Sequence, residues 1–330
     1  STLSIDKADM ETWIKREPVG VVAAIIPWNS QLFLSAVKIG PAIAAGCTVV
    51  VKAAETAPTP LLALAELVHE AGFPAGVINV ITGFAADCGT VLTRHELVDH
   101  IAFTGGAETA RHIVRNSAEN LASTSLELGG KSPFIVFADA DVESAANAQV
   151  AAIFSASGQS CVAGSRLLVE QGVKEAFIEK LASKARSIVI GCPQQQETQF
   201  GPLCTSQQKQ KIEQVVSRSL EQGACLVSGN QPVDLPGFYY PPTILDCSNA
   251  PDADCVVQEL FGPVLSVLTF KDEAEAIRLA NNSEYGLAAG VFTQNLTRAH
   301  RVTRKLRSGV VWLNTYRVVS PLAPFGGYGK

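Results

Sequence analysis

The first part of the chain alternates between short strand-like runs, most of them rich in Val, Ile and Ala, and segments with helical periodicity. The strand-like runs cover Val19–Ile26, Cys47–Val51, Val77–Ile81, His100–Phe103 and Thr124–Leu126. Strands separated by helices pair in parallel through crossover connections rather than as hairpins. The pattern therefore predicts an α/β fold whose first domain is a doubly wound, Rossmann-like parallel sheet.

The clearest helix in this part is predicted over Pro60–Ala71. Thr59 is placed to cap its start, Pro60 suits the first helical position, and Gly72 ends it. The apolar face of this helix is formed by Leu61, Leu64, Leu67 and Val68.

Past Lys131 the sequence predicts a second α/β unit. Helices are expected over residues 141–155, 205–220, 274–281 and 296–305, and strands over 264–269, 289–293 and 310–313. Thr205 and Gln208 have the spacing of a capping box at the start of the second of these helices. The segment Gly229–Asp254 is rich in Pro, Gly, Asn and Asp, and is expected to be an extended connection.

The composition is that of a globular protein with room for two hydrophobic cores. The chain has 330 residues, of which 47% are hydrophobic and 17% charged, so two domains are expected. A net charge of −5 without a basic cluster argues against nucleic-acid binding, and no apolar run is long enough to span a membrane. The first fifteen residues carry no apolar signal core, which predicts a cytoplasmic protein with reduced thiols.

Cys161 is the candidate nucleophile. Most of the eight cysteines resemble small core or loop residues, but Cys161 lies among Gly158, Ser160 and Ala163, whose small side chains let the backbone turn and a substrate approach the sulfur. A bystander thiol is the alternative. The five histidines are scattered and no cysteine pair has ligand spacing, so no metal site is predicted.

Two further residues are candidates for carbonyl chemistry. Glu127 follows a strand-like run and precedes Gly129–Gly130, a pair that leaves room beside the carboxylate for a ligand or another backbone. Asn29 follows the strand at Val21–Ile26, where α/β proteins build their sites, and its amide can donate to an oxyanion. A solvated strand end and a turn asparagine are the respective alternatives.

Seven ordered motifs carry a resemblance. They are Pro27–Asn29, Lys52–Glu55, Phe103–Gly106, Glu127–Lys131, Gly158–Cys161, Glu259–Pro263 and Pro324–Tyr328. Their identity and order closely resemble the NAD(P)-dependent aldehyde dehydrogenase superfamily, over residues 18–330.

The resemblance implies a division of catalytic work. Cys161 attacks the aldehyde, and the Asn29 amide and the Cys161 backbone N–H hold the oxyanion of the thiohemiacetal. After hydride transfer to the nicotinamide, Glu127 activates the water that hydrolyses the thioester to a carboxylic acid. Lys38 matches a position linked in the family to the active site, although a surface lysine is the alternative.

The resemblance also implies the cofactor contacts. They are Pro27, Trp28, Lys52, Glu55, Phe103, Gly105, Gly106, Gly129, Glu259 and Phe261. Lys52 and Glu55 would hold the adenosine ribose, which favours NAD over NADP. Judged by spacing alone the signal is weak, because Gly105–Ala110 lacks the third glycine of the dinucleotide fingerprint. Gly106 and Ala110 also replace a serine and a glycine that are frequent in the family.

By the same resemblance, residues 1–18 belong to an oligomerisation hairpin, 19–129 to the NAD-binding domain and 130–330 to the catalytic domain. The family forms homodimers or homotetramers. The substrate tunnel is expected to be lined by Ser30, Gln31, Phe33, Leu34, Val37, Ser160, Val162, Thr315, Tyr316 and Arg317. Arg317 suits a semialdehyde carboxylate, or is a surface arginine. The competing functions are a non-catalytic scaffold on this fold and a coenzyme-A-acylating enzyme, and Glu127 favours water as the acyl acceptor.

Overall fold

The computed structural model describes residues 2–3 and 9–329. The chain divides into two compact units, Ser1–Glu127 and Leu128–Lys330. The assignment of residues 19–129 to NAD binding and of residues 130–330 to catalysis stays a prediction.

The first unit contains a five-stranded parallel sheet in the order β5-β4-β3-β6-β7. Its strands are β3 (Val21–Ile25), β4 (Thr48–Lys52), β5 (Ile78–Ile81), β6 (His100–Thr104) and β7 (Ser123–Glu127). The chain starts at the central strand, winds to one edge and then returns to the other, so the predicted doubly wound sheet is confirmed. β3 is buried on both faces, which explains its continuous apolar sequence.

Two short strands precede this sheet. β1 (Thr2–Leu3) pairs antiparallel with β2 (Thr12–Trp13). They lie in the segment 1–18 that the resemblance assigns to an oligomerisation hairpin, of which residues 1 and 4–8 are outside the described part of the chain. The role of this segment in assembly stays a prediction.

Four α-helices connect the strands of the first unit, and they are α1 (Gln31–Ala44), α2 (Thr59–Glu70), α3 (Thr90–Arg94) and α4 (Ala107–Asn120). A π-helix over Ala85–Gly89 leads into α3. Helix α1 packs on α2, and α3 packs on α4. The predicted Thr59 cap is wrong: Pro58 occupies the cap position and Thr59 is already helical. Leu67 is also wrong as a core residue, because it is 60% exposed on the side of α2 away from Leu61.

The second unit is built on a seven-stranded sheet in the order β10-β11-β12-β9-β8-β13-β14, parallel except for the β10–β11 pair. The strands are β8 (Pro133–Val136), β9 (Arg166–Glu170), β10 (Cys225–Ser228), β11 (Thr243–Asp246), β12 (Val264–Phe270), β13 (Ala288–Phe292) and β14 (Val310–Leu313). Neighbouring residues alternate between two cores: Phe134 belongs to one and Ile135 to the other. β11 lies inside the predicted extended connection, so that prediction is wrong for residues 243–246, while residues 229–242 and 247–253 contain no helix or strand.

Six helices cover this sheet, and they are α5 (Val142–Phe154), α6 (Lys174–Arg186), α7 (Ser206–Glu221), α8 (Asp254–Val257), α9 (Glu273–Asn281) and α10 (Leu296–Thr303). The Thr205 side chain caps α7 by accepting from the Gln208 N–H at 3.2 Å. In the described residues the Thr205 N–H makes no reciprocal bond to the Gln208 side chain, whose amide nitrogen donates to the carbonyls of Leu260 and Phe261. No helix in the described residues is both long enough and apolar enough to cross a membrane.

Candidate active site

A cavity of about 680 Å³ opens at the carboxyl end of the first unit's sheet. It lies where the strand order reverses on either side of β3, the position at which α/β sheets bind nucleotides. Of the predicted cofactor contacts, it is lined by Pro27, Trp28, Lys52, Glu55, Phe103, Gly105 and Gly106. The fold therefore brings together every predicted cofactor residue that belongs to this unit.

Lys52 and Glu55 form an ion pair on one wall of this cavity. Lys52 ends β4 and is 5% exposed, and its Nζ lies 2.9 Å from Glu55 Oε2. Burial acts to raise the pKa of Glu55, but the hydrogen bond and charge of Lys52 hold it below its ordinary value. Glu55 is thus an ionised acceptor beside a cation that is almost fully desolvated.

The glycine at the start of α4 faces open space. Gly106 caps α4 with an extended backbone, and a Cβ placed on it would meet no atom within 4 Å. A phosphate can therefore approach the first turn of this helix, where unpaired N–H groups and the helix dipole favour an anion. The missing third glycine of the fingerprint does not close this approach.

Sequence reasoning missed the far wall of the cavity. Thr109, His112 and Asn116 line it from one face of α4, and Thr93 and Arg94 line it from α3. The helical spacing of the α4 residues was the available signal, but only the packing of α3 on α4 shows that this face is turned to the cavity.

Asn29 and Glu127 both lie at the carboxyl edge of the same sheet, where Asn29 follows β3 and Glu127 is the last residue of β7. Burial raises the pKa of the Glu127 carboxyl, and the positive charge of Lys38 partly opposes this. No group in the described residues hydrogen-bonds to the Glu127 carboxylate. It is therefore a desolvated carboxylate whose lone pairs are open to a proton.

Lys38 is not a simple surface lysine. It lies on α1 and is partly buried, and this burial lowers the pKa of its ammonium while Glu127 opposes the shift. His100, on the same side of the sheet as Glu127, bonds Ser123 Oγ at 2.8 Å and Ser125 Oγ at 3.0 Å. Burial and the Lys38 charge together lower the pKa of His100.

In the second unit, Cys161 follows a strained turn at the end of α5. Ala156, Ser157 and Gly158 are consecutive left-handed residues, with φ of 53°, 54° and 72°. A left-handed conformation costs a residue other than glycine about 1–2 kcal/mol, so the surrounding structure must hold this turn in place. Backbone strain of this kind is common next to catalytic residues.

Hydrogen bonds on both sides of Cys161 hold residues 156–162, called the nucleophile loop below. Ser157 Oγ donates to the Gly201 carbonyl at 2.9 Å, and Gln159 Oε1 accepts from the Cys204 N–H at 2.9 Å. After Cys161, the Tyr316 hydroxyl donates to the Val162 carbonyl at 2.9 Å. The position of the Cys161 backbone is therefore determined by contacts with distant parts of the second unit.

The two glycines after Glu127 admit protein rather than a ligand. A Cβ on Gly130 would clash with the Cys161 carbonyl, and one on Gly129 would clash with the Glu259 carboxylate. Glu259 Oε1 also accepts the Gly130 N–H at 3.0 Å. Of the two predicted reasons for the glycine pair, close approach of other chain segments is the correct one in this unit, and a direct cofactor contact of Gly129 stays a prediction.

The structure brings the remaining predicted contacts close to the nucleophile loop. Glu259 and Phe261 share a small pocket with Ser160. Burial raises the pKa of Glu259, against the opposing effect of its bond from Gly130. No group of three His, Cys, Asp or Glu side chains in the described residues is close enough to hold a metal ion.

Comparison with known proteins connects these features. Residues 1–330 match the profile described as the aldehyde dehydrogenase family. A curated relative from Acinetobacter baylyi is named (Z)-2-((N-methylformamido)methylene)-5-hydroxybutyrolactone dehydrogenase, and is 69% identical over all of this chain and 67% of its own length. Aldehyde dehydrogenase 1 from Tanacetum cinerariifolium is 44% identical over 97% of this chain and 64% of its own length. The chain thus spans about two thirds of the relatives it matches.

Solved structures agree with the sequence matches. Betaine aldehyde dehydrogenase from Staphylococcus aureus, in complex with NAD⁺, superimposes with a TM-score of 0.96 at 39% identity, covering 100% of this chain and 66% of that protein. An aldehyde dehydrogenase from Bacillus cereus gives a TM-score of 0.97 at 41% identity, covering 100% of this chain and 67% of that protein. The fold, the ordered motifs and the family profile lead to one conclusion: the chain belongs to the aldehyde dehydrogenase family.

Proposed function

We propose that this chain carries the catalytic core of an NAD(P)-dependent oxidation of an aldehyde to a carboxylic acid. The observation that carries the proposal is the strained, externally braced turn that presents Cys161 in the second unit. A thiol held in this way is typical of a nucleophile, because a bystander cysteine does not need a strained turn to present it.

The residues of the chain divide the chemistry between them. The Cys161 thiolate forms a bond to the aldehyde carbon, and the carbonyl electrons move onto the oxygen. The Asn29 amide and the Cys161 N–H donate to that oxyanion, each worth roughly 3 kcal/mol. Once the oxyanion has re-formed the carbonyl and the carbon has lost its hydride, the substrate is a thioester. Glu127 then takes a proton from the water that attacks this thioester, and the Cys161 thiolate leaves as the acid forms. Burial raises the pKa of Glu127, which makes its carboxylate a stronger base than that of an ordinary glutamate.

The cofactor is proposed to bind in the cavity of the first unit. When bound, NAD supplies the oxidising step by accepting a hydride from the substrate carbon. Lys52 and Glu55 would hold the adenosine ribose, and the open face of Gly106 admits the pyrophosphate. Glu259, with Phe261 beside it, would contact the nicotinamide ribose. NAD should be preferred to NADP, because the ionised Glu55 repels a 2′-phosphate.

The substrate is proposed to carry a carboxylate as well as an aldehyde. The 69%-identical relative is named for a 5-hydroxybutyrolactone. When such a ring opens, the ring carbon–oxygen bond breaks and the hydroxyl proton is lost, which leaves an aldehyde at one end and a carboxylate at the other. A semialdehyde of this class fits the proposed thiol chemistry at Cys161.

Two substitutions test the proposed roles. Cys161→Ala should lower steady-state NADH formation by about a thousandfold or more while NAD binding is retained, because the sulfur forms the covalent bond but does not hold the dinucleotide. Glu127→Gln should instead give a burst of NADH close to one per active site and then stall as the acyl-enzyme.

Cys192→Ala is the matched control, because Cys192 is an exposed free thiol of the same unit. Stopped-flow absorbance separates the burst from the steady state, and mass spectrometry detects acylated Cys161. Turnover by Cys161→Ala would refute the nucleophile. Equal loss of burst and steady state in Glu127→Gln would refute its assignment to deacylation.

A further inference from the structure

The segment that follows β14 places an arginine beside the nucleophile loop in a strained conformation. Arg317 has a φ of 65° and Asn314 a φ of 51°. Asn314 is locked to β13 because its amide donates to the Thr293 carbonyl at 3.0 Å and accepts the Thr293 N–H at 3.0 Å. A left-handed arginine has no intrinsic advantage, so the position of this side chain is determined by its surroundings.

Tyr316 ties this segment to the nucleophile loop. Its hydroxyl bonds the carbonyl of Val162, the residue after Cys161, and its ring packs on Trp312 at 4.5 Å between centroids. A Cβ on Gly290 of β13 would lie 2.7 Å from the Tyr316 ring, so the ring packs in space that only a glycine leaves open. These contacts fix the position of Tyr316, and with it the adjoining backbone of Arg317, relative to the nucleophile loop.

The Arg317 guanidinium is held but not neutralised. Its Nη1 donates to the Ala151 carbonyl at 3.2 Å, on the last turns of α5. No carboxylate in the described residues forms an ion pair with it. Burial lowers the pKa of Arg317, while Tyr316 and Cys161 act to raise it, so the sulfur lies within electrostatic range. A partly buried arginine with free N–H donors is typical of a carboxylate-binding site.

We infer that Arg317 is a specificity-determining residue that binds the carboxylate of the semialdehyde substrate while the aldehyde carbon meets Cys161. This inference rests on the proposed function, since it assumes an aldehyde at the sulfur. The Ala151 carbonyl aims the guanidinium, and the remaining N–H groups are free to form a forked pair with two carboxylate oxygens.

The test uses alkylation of Cys161, which needs neither cofactor nor turnover. Two pairs of reagents are compared, iodoacetate with iodoacetamide and 3-bromopropionate with 3-bromopropionamide. In each reaction the thiolate displaces a halide, and within a pair the reagents differ only in carrying a carboxylate or an amide. Rates are measured by mass spectrometry of the Cys161 peptide.

Arg317→Gln should lower the acid-to-amide rate ratio by about tenfold or more in at least one pair, the value of a hydrogen-bonded charge contact. Arg317→Lys should keep a higher ratio than Arg317→Gln, because it retains the charge without the forked donors, and this separates lost charge from lost folding. Arg304→Gln, at an exposed arginine of the same unit, should leave the ratio unchanged.

Ratios that change less than twofold in both pairs would overturn the inference. Acid and amide rates that fall equally would also overturn it, because Arg317 would then support the thiolate and not a bound anion. Failure of the proposed dehydrogenase activity is a separate result, because the alkylation ratio does not depend on turnover. If the enzyme is active, kcat/KM for 4-oxobutanoate should fall relative to butanal in Arg317→Gln, mainly through KM.

Discussion

The two units use glycine for opposite purposes. In the first unit Gly106 borders the cavity, and a Cβ on it would touch nothing. In the second unit a Cβ on Gly158 would clash with the Gly262 backbone, and one on Gly130 with the Cys161 carbonyl. Glycine thus leaves room for a ligand at one site and lets the chain pack on itself at the other. The same residue type in a motif does not reveal which of these it does.

Two partly buried glutamates, Glu127 in the first unit and Glu259 in the second, also differ in their hydrogen bonding. The pKa of both is raised by burial. The Glu259 carboxylate accepts a hydrogen bond from the Gly130 N–H at 3.0 Å. No group in the described residues hydrogen-bonds to the Glu127 carboxylate. A carboxylate held by a backbone hydrogen bond suits a fixed binding role, and one without such a bond suits proton transfer.

The largest expected effect distinguishes the two kinds of glycine. Gly158→Ala should destabilise the protein by about 3 kcal/mol or more, because it combines a left-handed backbone with a clash against backbone atoms. Gly106→Ala should change stability by at most about 1 kcal/mol, since its φ of −75° suits alanine.

Urea denaturation of the two variants measures this difference. Isothermal titration with NAD supplies the second half of the test, because Gly106→Ala should weaken NAD binding while leaving the fold intact. Equal stability of the two variants would contradict the contrast between the units.

A smaller effect is expected on the pH dependence of the steady-state rate when the positive charge of Lys38 is removed. Lys38→Met removes the cation that opposes the raised pKa of Glu127, so this pKa should rise further. At a given pH less Glu127 is then ionised, and the acid limb of the steady-state rate should move to higher pH. The NADH burst should keep its pH dependence if Glu127 acts only in deacylation.

Lys271→Met is the control, because Lys271 is exposed and belongs to the other unit. The pH profiles of burst and steady state are recorded for both variants and the parent. An acid limb that stays in place, or moves to lower pH, would exclude electrostatic coupling between Lys38 and Glu127.

The smallest effect concerns the choice of cofactor in the first unit. Glu55→Gln should narrow the preference for NAD over NADP by roughly three- to tenfold, because Lys52 then has no carboxylate partner and can pair with the 2′-phosphate. The ratio of kcat/KM values for NAD and NADP measures this preference, and Glu66→Gln, at an exposed residue of α2, is the control. An unchanged ratio would remove Glu55 from the cofactor site.

Local sequence patterns were sufficient where one residue and its neighbours decide the outcome. The strands β3 to β6 of the first unit follow from apolar runs, and the cap of α7 follows from Thr205. Local patterns were insufficient where residues distant in sequence determine the position or the hydrogen bonds of a side chain. Gln208 fits a capping box locally, but two carbonyls of the Glu259–Pro263 motif take its amide. Leu67 fits an apolar face, but α2 turns it outwards.

The sequence by itself determined the α/β class, the parallel and doubly wound character of the first sheet, the family and the residues proposed for catalysis, because apolar periodicity and short motifs are local. Only the tertiary structure decided which side chains share an environment. It joined α3 and α4 around the cavity, set Glu259 against Gly129–Gly130 and brought Tyr316 to Val162. Burial and hydrogen bonds between distant segments determine the pKa of each side chain and which of its donors and acceptors remain available. Burial and such bonds cannot be obtained from the neighbours of a residue in sequence.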